Sequence, residues 1–479
     1  MFKKHFTRLM IVIVFILIQA TIKAQEFPIV VGSDSTFSGG ATYDGQNFLV
    51  AILGDSLSSD NITAQLVAPS GNLIGARIPL GATGVFPGAA SIFDGTNYFL
   101  NWYDFDGNLK GQFIDTSGNL VGASINIATG LSTARAGLSN MAFSDSTYLA
   151  IFVKTNNILY GQRISKTGNL IGSQILISSN LAREISIAYD GTNYLVDWVE
   201  DIPDQSDKDI YGQFVSKDGV LVGSNFVIDN GPYYSDNPTS IAFDGTRYLL
   251  AYHETPNSQS NFVVWTLMGR FITTSGMIQE TITICDSTEY PNIPFVAYDG
   301  NNYFITWTQF SNESLMGRFF DTSGVPIDTP FVLFGPLDNK IPMGGAGFGG
   351  DQYLVVATRV DSNLTDGDVY GRFIQPITGV EDEIISGKSM LSQNFPNPFN
   401  PSTTIKFSIQ NDSKIELSIH NIKGQKIRTL AKSEFSKGYH SIVWNGVDAS
   451  NKPVSSGIYF YKLNVNGKSG AVKKCLLLK

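Results

Sequence analysis

Cysteine and histidine are scarce in this chain of 479 residues, which has two of the first and four of the second. Cys285 and Cys475 lie in stretches of different character, which argues against a disulfide framework. His253 is the only histidine between residues 25 and 378, so a multi-histidine metal centre is excluded there. Charged residues are also few, at 16%, whereas glycine is abundant at 47. That balance suits turn-rich, all-β structure better than helices or disorder. No G-x-S-x-G elbow occurs. The run Gly344–Gly350 is not followed by a helical pattern, so it reads as tight-turn chemistry and not as a phosphate loop.

What the chain has in quantity is repetition. The stretch Ile187–Ile228 holds four apolar, β-rich runs: Ile187–Tyr189, Tyr194–Trp198, Ile210–Val215 and Val220–Ile228. Asp190-Gly191 joins the first two and Lys217-Asp218-Gly219 the last two, both hairpin signals. Copies align on an anchor at Asp44, Asp94, Ser144, Asp190, Asp244, Asp299 and Gly349, a spacing of about 50 residues repeated seven times. Four residues after each anchor stands an aromatic: Phe48, Tyr98, Tyr148, Tyr194, Tyr248, Tyr303 and Tyr353. Eight after it come Ile52, Trp102, Phe152, Trp198, Tyr252, Trp307 and Ala357. On the third run a small residue precedes Gln65, Gln112, Gln162, Gln213, Arg270, Arg318 or Arg372.

A four-stranded sheet of this size cannot bury both faces alone, so the copies must stack. The pattern predicts a seven-bladed β-propeller over residues 25–378. The aligned aromatics would pack between blades, and the Gln/Arg column would serve as ladder or blade-to-blade hydrogen bonds. The seventh copy lacks a fourth strand, and Glu26–Val31 (EFPIVV) has the matching pattern. It is expected to complete the last blade from the other end of the chain. Pro28 is tolerable there because the strand would be an edge.

Residues 1–24 read as a secretory signal peptide. Lys3, Lys4 and Arg8 precede the apolar run Leu9–Ala20, and Ile22-Lys23-Ala24 fits a cleavage site. The run is shorter than the roughly 20 residues a spanning helix needs, and no later segment is long and apolar enough. Three acidic loops lie before third strands: Asp104–Asn108, Asp201–Asp209 and Asp361–Asp368. Their oxygen ligands make Ca²⁺ the one cofactor the sequence admits, but none fits the EF-hand spacing. They read better as solvated loops.

Residues 379–390 form a linker, and from Leu391 to Lys479 short alternating runs predict a small immunoglobulin-like β-sandwich. Charge divides along the same line. Residues 383–479 carry a net +9 and residues 25–382 a net −22. The acidic body argues against nucleic acid or anionic lipid as its partner, whereas the basic tail could dock on an anionic surface.

The tail carries Ser392–Ile409 (SQNFPNPFNPSTTIKFSI), Ile419–Leu430 (IHNIKGQKIRTL), Gly438–Leu463 and the closing KKCLLLK. In that order these stretches resemble the type A C-terminal sorting domain of type IX secretion substrates; Cys475 is a small departure. The resemblance implies export through an outer-membrane translocon that recognises the sandwich. It also implies display on the cell surface, attached to lipopolysaccharide or released, in a bacterium of the Bacteroidota kind. More weakly, Tyr160-Gly161-Gln162-Arg163 and Gly168–Gly172 resemble repeats of large secreted bacterial proteins, which supports the propeller and implies no activity.

Two carboxylates at the right separation suffice for glycoside cleavage. Asp190, Asp244 and Asp299 belong to the repeat, and an active site is asymmetric, so they read as structural. The non-repeated acids Glu200, Glu254 and Glu313 follow second strands, but nothing in the sequence makes them a site. No catalytic, cofactor-binding or metal-binding residue is therefore assigned. The expectation is a secreted or surface-displayed, non-enzymatic binding and adhesion platform for a glycan or protein. Its principal rival is a secreted carbohydrate-active enzyme using carboxylates at the propeller mouth.

Overall fold

The computed structural model describes residues 26–31, 37–54, 62–81, 85–132, 140–201, 208–231, 233–234, 239–256, 265–285, 291–335, 341–360, 367–376, 390–391, 394, 399–409, 412–436 and 438–478. The stretch read as a signal peptide, residues 1–24, and almost all of the expected linker lie outside them. Every regular element is a strand.

Seven antiparallel blades follow the repeat. Blade four, built from the unit read first in the sequence, comprises Ala182–Tyr189, Asn193–Asp201, Lys208–Ser216 and Leu221–Asp229. Blade one begins at Phe37–Tyr43, blade two at Val85–Phe93, blade three at Met141–Phe143, blade five at Ser240–Phe243, blade six at Pro291–Tyr298 and blade seven at Ile341–Gly349. The first strands of successive blades touch in a full circuit, with blade seven against blade one, so they form the inner wall of a closed ring. The two-residue strand Tyr233–Tyr234 bridges blades four and five, pairing with Lys208 on one side and with Thr255 and Pro256 on the other.

Blade seven supplies three strands, Ile341–Gly349, Gln352–Val360 and Gly367–Ile374, and Phe27–Val30 adds the fourth. The expected closure by the N-terminal segment is what the structure has. Arg359 donates to the Glu26 carboxylate at 2.6 Å and clasps that strand to the blade.

The hairpin anchors explain the repeat. In blade four the Asp190 Oδ1 accepts the backbone N–H groups of Thr192 and Asn193, both at 2.7 Å. Asp44, Asp94, Asp244 and Asp299 do the same for their own turns. The aspartate therefore holds the turn by its side chain, while only the following glycine takes the positive φ, 94° at Gly191. An aromatic just before each anchor packs on the one four residues after it, as in Phe143–Tyr148 at 4.6 Å between ring centres.

The same aromatic reaches across to the preceding blade. Tyr98 donates to Asn47 O at 3.1 Å and Tyr248 to Asn193 O at 3.5 Å, in the hairpins of the preceding blades. The phenols of Tyr98, Tyr148, Tyr248, Tyr303 and Tyr353 stand near Asp44, Asp94, Asp190, Asp244 and Asp299 in turn. Burial and the facing carboxylate hold these phenols well above their ordinary pKa. Tyr194 meets Ser144 instead and donates to Thr147 O at 2.9 Å. At the seventh junction both polar members are missing, because the anchor is Gly349 and the aromatic is Phe48.

The third-strand column behaves as expected of it, in two ways. Gln65, Gln112, Gln162 and Gln213 donate to carbonyls of their own fourth strand, where the register shifts. The arginines cross between blades: Arg270 pairs with Asp229, Arg318 donates to Ile284 O, and Arg372 donates to Leu333 O. The glycine run in blade seven departs from expectation. Ile341–Gly349 is strand, and its glycines serve close approach more than turning: a Cβ on Gly347 would lie 2.0 Å from Ala41 O of blade one. Only Gly350 takes a turn φ, 73°.

The C-terminal part is a seven-stranded sandwich. Met390–Leu391, Thr403–Ile409 and Gly438–Trp444 form one sheet. Lys426–Phe435, Ser413–Asn421, Gly457–Val465 and Lys468–Leu477 form the other. Its own core includes Phe407, Leu417, Trp444, Tyr461 and Leu477. Asn394 ties the proline-punctuated entry to that core: its N–H donates to the Tyr461 hydroxyl at 2.8 Å and its Nδ2 to Thr403 Oγ1 at 2.9 Å. Lys426–Phe435 is an edge strand whose register shifts against Ser413–Asn421 break the alternation of its side chains.

Two outcomes are expected. A variant lacking residues 25–32 should lose cooperative thermal unfolding in calorimetry, whereas an unchanged transition would mean that the ring does not depend on its closing strand. Tyr98→Phe leaves the Asn47 carbonyl without its donor across the first junction and should cost about 1–3 kcal/mol in urea denaturation. Phe48→Tyr buries a hydroxyl opposite Gly349 and should destabilise comparably.

Candidate functional site

The anchors and their turns occupy one face of the ring. On the other face second strands end, and the residue ten past each anchor reads Gly54, Asp104, Lys154, Glu200, Glu254, Gln309 and Arg359. This column has the asymmetry that the anchor column lacks. Asp104 Oδ1 accepts the N–H of Asp106 and of Asn108, and Oδ2 faces Lys110 Nζ at 3.1 Å. Those hydrogen bonds and Lys110 keep its carboxyl below the usual range against the opposing effect of burial. Lys154 sits over the Tyr160 ring at 4.5 Å, and Arg359 over Tyr370 at 4.7 Å.

Glu200 is nearly buried. Asn180 Nδ2 donates to it at 2.7 Å and Trp198 Nε1 at 3.4 Å. Burial pushes its pKa up, and Asp209 adds to the effect. Glu254 accepts the Tyr252 hydroxyl at 3.2 Å, and burial, then Asp229, raises its pKa too. The two do not share a site. Glu200 lies on the side of Trp198, which packs against blade three, and Glu254 on the side of Tyr252, which packs against blade four. The blade-four sheet stands between them. Glu313 is exposed in a turn with φ 52°. The structure therefore does not assemble the three non-repeated glutamates.

Among the described residues no cluster of three or more His, Cys, Asp or Glu could hold a metal ion. The Asp104 loop is a turn whose carboxylate is engaged by its own chain and Lys110, which does not fit a Ca²⁺ cradle. Asp201–Asp209 and Asp361–Asp368 fall mostly outside the described residues. Neither cysteine forms a disulfide among the described residues.

Two features escaped the sequence reading. Asp197, on the second strand of blade four, is fully buried against blade five. Ser186 Oγ donates to its Oδ1 at 2.5 Å and Thr239 Oγ1 to its Oδ2 at 2.6 Å. No cation offsets it, and burial raises its pKa to about 7. The available signal was its column, seven past the anchor, which otherwise reads Ala51, Asn101, Ile151, Ala251, Thr306 and Val356. The second is Trp265. Of the five tryptophans, Trp102, Trp198, Trp307 and Trp444 are fully buried, and Trp265 alone is half-exposed. It stands edge-on to buried His253 at 5.1 Å and to half-exposed Phe310 at 6.2 Å, at the mouth of the cleft between blades five and six. It belongs to no column of the repeat, and that was its signal.

Comparison with known proteins locates one family. Residues 399–470 match the FlgD Ig-like domain, so the C-terminal unit is Ig-like; the match is not to a sorting domain. A search of the curated proteins found no match. Similar solved structures include the β-propeller domain of the trilobed protease from Pyrococcus furiosus, at 13% identity and a TM-score of 0.43, covering 71% of this chain and 97% of that one. They also include the Penicillium chrysogenum α-L-arabinanase, at 10% identity and a TM-score of 0.37, covering 58% of this chain and 90% of that one. A chain of the mitotic checkpoint complex is similar at 10% identity and 0.42, covering 73% and 94%.

Asp197 gives a pH prediction with a definite sign. Its folded pKa lies above the roughly 3.9 of an unfolded aspartate. Its contribution is therefore complete below pH 4, falls as pH rises to about 7, and is flat above. Asp197→Asn copies the protonated form. In equilibrium denaturation it should stabilise the protein at pH 8, by up to about 4 kcal/mol, and remove the slope between pH 4 and 7. An unaltered slope would assign the pH dependence elsewhere.

Proposed function

We propose that this is an exported, surface-displayed or released protein whose propeller acts as a non-enzymatic binding and adhesion platform, for a glycan or a protein. A type IX sorting sandwich would deliver it after cleavage of the leader near Ala24. The observation that carries the platform reading is the distribution of carboxylates. The repeated aspartates are taken up by their turns, and the non-repeated Glu200 and Glu254 face different clefts with a sheet between them. What remains asymmetric is a face of varied side chains, which suits recognition better than paired acid–base chemistry.

The export reading is supported by the leader pattern, the ordered tail motifs and the match of residues 399–470 to an Ig-like domain. The partner on that route is the translocon, with outer-membrane lipopolysaccharide as the attachment after export. The acidic propeller is not suited to nucleic acid. A second reading, a carbohydrate-active enzyme, is favoured by one observation: burial raises the pKa of both Glu200 and Glu254, as a general acid requires.

The mature chain, incubated with a panel of polysaccharides and scored together for retention and reducing-end release, distinguishes the two. Retention without release is expected, unchanged in Glu200→Gln and Glu254→Gln. Release abolished by either substitution in a folded variant would establish the enzyme. Export is tested separately in the producing cell. Removing residues 391–479 should leave the propeller in the periplasm, and normal surface display without them would refute the sorting role.

A further inference from the structure

We propose that the outer edge of blade seven is a strand-acceptor groove, and that it takes Glu26 and the closing strand Phe27–Val30 from a second copy of this chain. The inference is independent of the platform reading.

The groove is built to recognise an extended segment. Gly367–Ile374 is the edge of the three strands that blade seven supplies, and Phe27–Val30 pairs with it antiparallel through Gly371, Tyr370 and Val369. At such an edge main-chain hydrogen bonds give affinity, and pockets for alternate side chains give specificity. The pockets are present. Ile29 is buried and Phe27 half-buried, while Pro28 between them is exposed. The Phe27 ring lies over Gly371, where a Cβ would come 2.5 Å from it. It stacks on Phe373 at 5.6 Å, and a Cβ on Gly71 of blade one would stand 3.5 Å from the same ring. Ile29 enters the apolar cluster of the seam with Phe48, Val50, Leu354 and Val369. Arg359, itself buried, holds the Glu26 carboxylate at 2.6 Å.

The occupant follows from what these pockets select. A glycine floor for an aromatic, an apolar pocket two residues on and an arginine one residue before it match Glu26-Phe27-Pro28-Ile29. The partner that carries that sequence is a second copy. An exchanged strand remakes the same contacts, so exchange loses no interaction within the blade and costs the entropy of joining two chains. The strand is also lightly held. It pairs at three positions with a register shift after Pro28, and Pro28 brings no N–H to the edge. The fourth strands of blades two, three and four have nine residues each. An element with few pairings opens locally while the rest stays folded. Its tether allows the transfer. Residues 31–36 connect it to Phe37, where the innermost strand of blade one starts. Six extended residues reach roughly 20 Å, against about 14 Å for the three strand spacings across a blade. The strand therefore reaches a second edge set beside its own.

The test uses folded chains spanning residues 25–479. Val30→Cys is placed on one chain and Val369→Cys on another, because these residues pair across the groove. The two are incubated together over a range of concentrations, just below the thermal transition, and then oxidised. Disulfide-linked peptides are identified by mass spectrometry. A chain carrying both substitutions should link within itself, which shows that the pair is in reach. Between chains a link from residue 30 to residue 369 is expected, and its share should rise with concentration. Arg359→Glu on the acceptor should lower that share roughly tenfold or more, and Glu26→Arg on the donor should restore it. No link between chains, while the doubly substituted chain links internally, would overturn the exchange. So would a link whose yield ignores Arg359→Glu, because the groove would then not be selecting the strand. If the doubly substituted chain fails to link, the strand is not seated in the groove and the proposal falls.

Discussion

The ring depends on one contact made seven times, that of an aromatic on the hairpin of the blade before it. A four-stranded blade has two faces and no helix to cover either, so its stability comes from its neighbours. The tyrosine at this contact has two tasks. Its ring packs against the aromatic of its own hairpin, and its hydroxyl reaches the previous hairpin, at Asn47 O for Tyr98. The seventh junction does without either polar member, with Gly349 and Phe48 in their places. The two ends of the chain meet there. Gly349 also makes room for the Tyr43 ring, which would overlap any Cβ at that position and which packs on Phe48 at 4.7 Å. The seam thus replaces a polar pair with aromatic packing.

Because the contact recurs, most of the architecture could be read from the sequence. The Asp-Gly anchors, the aromatic columns and the Gln/Arg column each repeat at the same offset, and a single blade gives the others. Even closure was legible, since Glu26–Val31 has the pattern of a fourth strand and blade seven lacks one. What could not be read lies where the local pattern serves a distant neighbour. The glycines of Ile341–Gly349 look like turn residues. Their role is to let the first strand of blade one approach, and that neighbour is about three hundred residues away in the chain. Lys426–Phe435 is hard to read for another reason: Ile427, Leu430, Ala431 and Phe435 do pack on the sandwich core, but register shifts against the neighbouring strand break the period-two signal.

The candidate site was less legible, for a physical reason. Glu200 and Glu254 are equivalent positions of adjacent repeats, which on paper makes them a plausible pair. Yet equivalent positions in stacked sheets always face the same way around the ring, so a whole sheet must separate them. Two side chains meet across a junction only when they sit on opposite sides of their strands, as Asp197 and Thr239 do between blades four and five, or Trp265 and Phe310 between five and six. Repeat alignment, which found the fold, hides such pairs because it compares each residue with its equivalents.

The same geometry orders the two faces of the ring. On the anchor face every blade repeats the same turn, and the side chains that could bind a ligand are already engaged with the backbone. On the opposite face the column ten past the anchor changes from blade to blade, through acid, base, amide and glycine. Most of its members are nonetheless buried and engaged locally, Asp104 by its own turn and Lys110, Glu200 by Asn180 and Arg359 by Glu26. The side chain at each of these positions therefore answers to its own surroundings and not to the repeat. Trp265 and Phe310 sit on that face, outside every repeated column and between two blades whose own aromatics are already buried.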